Sequence, residues 1–151
     1  MAHYHFVGLG GIGMSALAQL VTARGDAASG SDRYFDNGQL LDRKERLAAR
    51  GVRIFPQNGS GVREGVSSLV LSSAIEESNP DLVQARRLRI TPLHRSALLA
   101  SLFHACRDRA AVTGSFGKTT ITAMAGWVLA EAGLSPMVVN GGIMRNFEGE
   151  D

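Results

Sequence analysis

The sequence predicts an α/β protein built on a mainly parallel sheet. Short apolar runs alternate with amphipathic helical stretches along the chain, and two of those runs lead straight into glycine-rich turns. Glycine is also over-represented, at 18 of 151 residues against an average of ~7%. Alternation of this kind fits parallel pairing, because two parallel strands need a crossover between them and the crossover is usually a helix. The chain is 44% hydrophobic and 20% charged, which is a globular composition rather than a disordered one. Its 16 Lys and Arg against 14 Asp and Glu leave a net charge of +2, too little to argue for nucleic acid or a membrane surface. One cysteine, Cys106, excludes an internal disulfide and fits a reducing compartment. No apolar run is long enough for a membrane span, and the first residues lack the pattern of a signal peptide. The expectation is a cytoplasmic protein that binds neither nucleic acid nor membrane.

Each element has its own signal. His3 to Val7 reads as a strand entering Gly8-Leu-Gly-Gly-Ile-Gly13, and the helix behind it carries Met14, Leu17, Ala18 and Val21 on one face before Gly25. A second strand, Ala27 to Gly30, delivers Ser31 and Asp32. A charged helix from Gln39 to Arg50 is stopped by Gly51, and a strand follows at Val52 to Phe55. Ser68 to Ser72 is too short for a helix and suits a buried parallel strand. Asn79-Pro80-Asp81 then places an N-cap, a first-turn proline and a first-turn acid in order. Ile90 to Leu93 is a fifth strand, and Leu98, Leu99, Leu102 and Phe103 mark another helix. The pattern restarts with a strand at Ala110 to Thr113, the turn Gly114-Ser-Phe-Gly-Lys-Thr-Thr120, and a helix bearing Ile121, Met124, Ala125, Val128, Leu129 and Ala132 that Gly133 closes. A last strand is expected at Met137 to Val139, ahead of Asn140-Gly141-Gly142.

Both turns have the form of a phosphate cradle. The first N–H groups of a helix lack partners inside it and point outward with the positive end of its dipole, and glycine lets an anion approach them. Gly8-x-Gly10-x-x-Gly13 has dinucleotide spacing, and Asp32 follows nineteen residues after Gly13, where a ribose-binding acid is expected. That motif serves a nicotinamide dinucleotide and a nucleotide diphosphate sugar equally, since both present a pyrophosphate. The second turn adds a lysine for the β and γ phosphates, Lys118, and a hydroxyl for Mg2+, Thr119. Two such turns in tandem are hard to reconcile with one dehydrogenase and point to a ligase or kinase. A stand-alone nucleotide-binding module is the alternative from another class.

With these residues in view, the chain resembles the Mur ligase family of ATP-dependent amide-forming enzymes of peptidoglycan synthesis. The segments that carry the likeness are His5 to Ser15, Ser29 to Asp32, Leu71 to Ile75 with Asn79-Pro80, and Val112 to Thr120. The family's P-loop is the short form seen here, which accounts for Val112 where the common pattern has glycine. The resemblance implies a Rossmann-like UDP-sugar-binding domain over residues 1–105, followed over 106–151 by the first β-P-loop-α-β unit of a P-loop ATPase-type domain. It places UDP-N-acetylmuramate against Gly10, Gly11, Ile12, Gly13, Met14, Ser15, Ser31, Asp32, Ser72, Ser73 and Ala74. It places ATP on Gly114, Ser115, Phe116, Gly117, Lys118, Thr119 and Thr120, with Thr119 on magnesium and Lys118 catalytic. In the family reaction a carboxylate is phosphorylated by ATP and the acyl phosphate is then attacked by an amine. The Gly-Gly-Ile-Gly-Met turn favours L-alanine as that amine over a whole tripeptide. Phe116 stands where the alanine-adding members usually carry histidine, and Asn140 to Asn146 matches the family only in part. The family's second metal-binding acid, its histidine and its amino-acid-binding domain fall beyond Asp151. The expectation is a fragment unable to complete the reaction alone.

Other polar residues call for no special chemistry. His3, His5, His94 and His104 lack metal-ligand spacing and are expected at strand ends or on the surface. Cys106 reads as a structural thiol, Trp127 as packing, and Arg86-Arg87-Leu88-Arg89 as a solvated helix end.

Overall fold

The computed structural model describes residues 1–142, 144 and 146. Ile143 and Arg145, in the Asn140 to Asn146 segment, lie outside the described residues. The chain forms two compact units, Met1–Cys106 and Arg107–Asp151.

The first unit is a five-stranded sheet. Its strands are β1 (His3–Val7), β2 (Ala27–Ser31), β3 (Arg53–Phe55), β4 (Ser68–Leu71) and β5 (Thr91–His94), in the order β3-β2-β1-β4-β5 with every pairing parallel. Helices α1 (Ile12–Ala23), α2 (Arg33–Asp36), α3 (Leu41–Ala49), α4 (Pro80–Arg87) and α5 (Arg95–His104) make the connections. Successive strand residues face opposite sides, so each buried strand serves two cores. Phe6 and Val70 join Leu9, Leu17, Val21 and Leu98 on the α1 and α5 side, while Val7 and Leu69 join Val62, Leu82 and Ala85 on the α4 side. The strand order reverses between β1 and β4, and an open sheet of this kind has its crevice there, outside the carboxyl ends of the strands.

The α4 side carries a polar network that the sequence did not announce. His5, expected at a strand end or on the surface, is fully buried on the central strand. Its Nδ1 lies 2.9 Å from Ser29 Oγ, and its Nε2 faces Asp81 Oδ2 at 3.7 Å. His3 Nε2 shares the same serine at 2.7 Å. Asp81, also fully buried, accepts from the Ser31 hydroxyl and, at 2.8 Å, from the Gly59 N–H. These contacts explain how two serines sit inside a parallel strand with no exposure: each hydroxyl has a partner. Burial alone would push the Asp81 carboxyl up, but His5, Ser31 and Gly59 outweigh it and hold the carboxyl below its ordinary range. Burial, with Arg53, His5 and Arg63 behind it, pushes the His3 imidazole down.

Several boundaries differ from expectation. Asp32 caps a short helix, α2, that no periodicity marked, its side chain accepting from the Tyr34 N–H. The charged helix α3 begins two residues late because Leu40 takes a left-handed φ of 54°. Asn79 caps α4 as its sequence signal required, accepting from the Asp81 and Leu82 N–H groups.

In the second unit, helix α6 (Lys118–Glu131) follows the glycine turn. The strands expected at Ala110 to Thr113 and Met137 to Val139 do not form; among the described residues this unit has no strand. An apolar run becomes a strand only when a neighbouring backbone pairs with it, and neither run is so paired among the described residues. Among the described residues of the whole chain, no helix is long and apolar enough to cross a membrane.

Candidate functional site

The first glycine turn occupies the reversal point of the sheet. Leaving β1, Gly8 adopts φ +79°, and the N–H groups of Gly8 and Leu9 both donate to the Ser31 carbonyl at 2.9 Å. Gly10 donates to Asp32 Oδ2 at 2.8 Å, and its carbonyl accepts from the Arg43 guanidinium. Gly11 is the N-cap of α1, and the Met14 and Ser15 N–H groups donate back to its carbonyl at 3.1 and 2.9 Å. The N–H groups of Ile12 and Gly13 have no acceptor among the described residues, and Ile12 is 55% exposed. No acidic side chain and no side-chain cap occupy this first turn. The turn therefore presents outward-pointing donors with nothing of its own to neutralise them.

The expected ligand-facing residues divide into two sets. Gly11, Ile12 and Gly13 stand at the mouth, and Ser72, Ser73 and Ala74 lie just past β4. That segment abuts the turn, since a Cβ placed on Gly8 would lie 3.7 Å from Ile75 Cδ1. Met14 belongs to the core, and the Ser15 hydroxyl donates to the Ile12 carbonyl at 2.9 Å. Ser31 is buried against Asp81, and Asp32 is only 4% exposed, with one oxygen on Gly10 and the other on Tyr34. Asp32 thus fastens the turn to α2. Gly10 is glycine for the same reason: a Cβ there would lie 2.9 Å from the Asp32 carboxylate. Gly13 likewise leaves room for the guanidinium of Arg95, which lies against the first turn of α1.

The second turn is built from within. Gly117 caps α6 at φ +76°, a conformation that disfavours side chains, and Gly114 has φ +146°. The Lys118 ammonium folds back over the loop, donating to the Gly114 carbonyl at 2.6 Å and to the Ser115 carbonyl at 3.3 Å. The backbone N–H groups of Lys118, Thr119 and Thr120 have no acceptor among the described residues. Phe116 is 94% exposed. Gly141 and Gly142 come to rest beside Thr119, where a Cβ on Gly142 would lie 3.0 Å from Thr119 Cγ2. Free N–H donors, an exposed ammonium and an exposed hydroxyl are the donor set that a nucleoside triphosphate with magnesium requires, so the residues fit that group.

A family description, "Mur ligase family, catalytic domain", matches residues 3–107. The chain belongs to the Mur ligase family. It is 43% identical, over 99% of its own length, to the UDP-N-acetylmuramate–L-alanine ligase of Solibacter usitatus. It spans about 30% of the length of that relative. Among solved structures it is similar to the UDP-N-acetylmuramate-alanine ligase of Thermotoga maritima, with a TM-score of 0.83 and 34% identity over 97% of this chain and 33% of that one. It also resembles the UDP-N-acetylmuramate:L-alanyl-gamma-D-glutamyl-meso-diaminopimelate ligase of Neisseria meningitides, with the same TM-score and 26% identity over 97% of this chain and 45% of that one.

Motif reading missed Arg43, Arg95 and the His5 to Asp81 network. Arg95 had a usable signal: it directly follows β5, at the carboxyl end of a strand, where crevice residues of a parallel sheet gather.

Proposed function

We propose that this chain supplies the nucleotide-sugar site and the opening of the ATP site of a ligase that joins L-alanine to UDP-N-acetylmuramate. Residues 1–105 are the UDP-sugar domain in this reading, and 106–151 begin the ATP-binding domain. The observation that carries it is the pairing, in one chain of this family, of two turns with unsatisfied helix N–H donors and different side-chain equipment. The first has glycines and arginines, suited to a diphosphate that stays intact. The second adds an ammonium and a hydroxyl, suited to a phosphate that is transferred.

Bound ATP and Mg2+ supply the phosphoryl group that turns an inert carboxylate into an acyl phosphate with a good leaving group. Within this chain, the N–H groups from Gly117 to Thr120 would hold the triphosphate, with Gly114, Ser115 and Phe116 forming the loop around it. Lys118 would neutralise charge on the transferred phosphate, and Thr119 would ligate the metal. In the first unit, Gly10 to Gly13 would lie over the diphosphate, Met14 and Ser15 would shape the helix start behind them, and Ser31 and Asp32 would set the floor near the uridine. Ser72, Ser73 and Ala74 would line the opposite wall.

Alanine is favoured over a tripeptide as the amine by the higher identity to the alanine-adding structure, 34% against 26% at equal TM-score. The reading carries with it a cytoplasmic location, where ATP and UDP-sugars are available. Isothermal titration of the chain with UDP-N-acetylmuramate, with Mg-ATP and with NADPH tests it. Independent binding of the first two is expected, and binding of NADPH alone would overturn the proposal.

A further inference from the structure

We infer that Arg95 is a substrate-binding residue that makes the first turn selective for a nucleoside diphosphate over a monophosphate. The inference rests on reading that turn as a nucleotide-sugar site. Arg95 directly follows β5 and opens α5, so it stands at the carboxyl edge of the sheet. From there its side chain reaches the first turn of α1, and Nη1 lies where a side chain on residue 13 would begin. The guanidinium is exposed and has no hydrogen-bond or salt-bridge partner among the described residues.

This placement is electrostatically unfavourable unless an anion joins it. A cation set against the positive end of a helix opposes the dipole, and the first turn of α1 contains no acid to offset it. Asp32, the carboxylate that touches this turn, already accepts from Gly10 and Tyr34 and is almost fully buried. Arg43, the other arginine at this turn, is committed to the Gly10 carbonyl. The Ile12 and Gly13 N–H groups can take the oxygens of one phosphate. A second phosphate attached to it would fall beside Gly13, where a guanidinium offers a planar fork of donors. A monophosphate would satisfy the N–H groups and leave Arg95 without a share. A diphosphate engages both.

Titration of the 151-residue chain with UDP and with UMP reads this directly, using the native sequence, Arg95→Ala and Arg95→Lys. The native chain is expected to prefer UDP, and Arg95→Ala to weaken UDP by about 10- to 100-fold, the worth of one charge-assisted pair, while UMP changes less than about threefold. Arg95→Lys keeps the charge without the fork and is expected to fall between the two. Unaltered thermal unfolding of both variants would show that an exposed side chain was removed without disturbing the turn. An unchanged ratio of UDP to UMP affinity in Arg95→Ala would overturn the inference, as would equal losses for both ligands. Failure of the native chain to bind UDP would instead overturn the reading of the turn as a nucleotide site.

Discussion

The turn from Gly8 to Gly13 is anchored by Asp32 and Arg43, 22 and 33 positions away in sequence. The turn from Gly114 to Lys118 is anchored by its own lysine, three and four positions from the carbonyls it holds. The two share a motif logic and differ in what holds them. Remote anchors need a folded sheet behind them, and the first unit has one with cores on both faces. The second unit's helix leaves Met124 at 64% and Val128 at 63% exposure, and its turn relies on local contacts. The difference suits the proposed chemistry. A site that binds a diphosphate without altering it gains from rigid donors, whereas one that transfers phosphate needs a lysine able to leave its loop carbonyls for the ligand.

This contrast can be broken in three places. The largest effect is expected at Asp32, where removing a buried carboxylate deprives two backbone N–H groups of their acceptor. Asp32→Ala should cost about 3 kcal/mol of first-unit stability in urea unfolding and weaken UDP binding with it. A stability change below about 0.5 kcal/mol would mean that the first turn does not depend on its remote anchor.

Next comes Lys118→Ala. Loss of the ammonium should weaken Mg-ATP by at least ~100-fold, equivalent to about 2.7 kcal/mol, and leave UDP affinity and the unfolding of the first unit in place. Titration with both nucleotides checks this, and a parallel loss of UDP binding would dissolve the division into two sites.

The smallest effect at neutral pH is expected for Asp81→Asn, about 1 to 2 kcal/mol, because the amide retains an acceptor for Gly59. Its signature lies in acid. The Asp81 carboxyl binds a proton less readily folded than unfolded, so stability rises with pH across that interval. The contribution is complete above the unfolded value, near 3.8, and is lost as pH falls through the lower folded value. Unfolding followed between about pH 2 and 6 should show a flatter acid limb in the variant. Parallel acid limbs would remove Asp81 from the account of what supports the first turn's sheet.

Much of this molecule was legible from short-range rules. Spacing located both turns, the cap at Asn79 predicted α4, and apolar runs located all five strands of the first unit. The same rules left the contacts of Asp32 unstated. A motif records that an acid belongs at that distance and is silent on whether the acid faces a ribose or fastens Gly10 and Tyr34. They also promised strands at Ala110 to Thr113 and Met137 to Val139, because propensity describes a segment while pairing describes two.

Sequence alone therefore determined the alternation of elements, the two glycine turns and the family. Those properties depend on residues close together in the chain, where backbone geometry and periodicity act directly. Tertiary structure alone decided that His5 and Asp81 share a buried network, and that Asp32 is spent on the turn it follows. It also brought Arg95, 82 positions after Gly13, to the mouth of the first turn. Each of these follows from the order in which strands meet in the sheet, and no local pattern encodes that order.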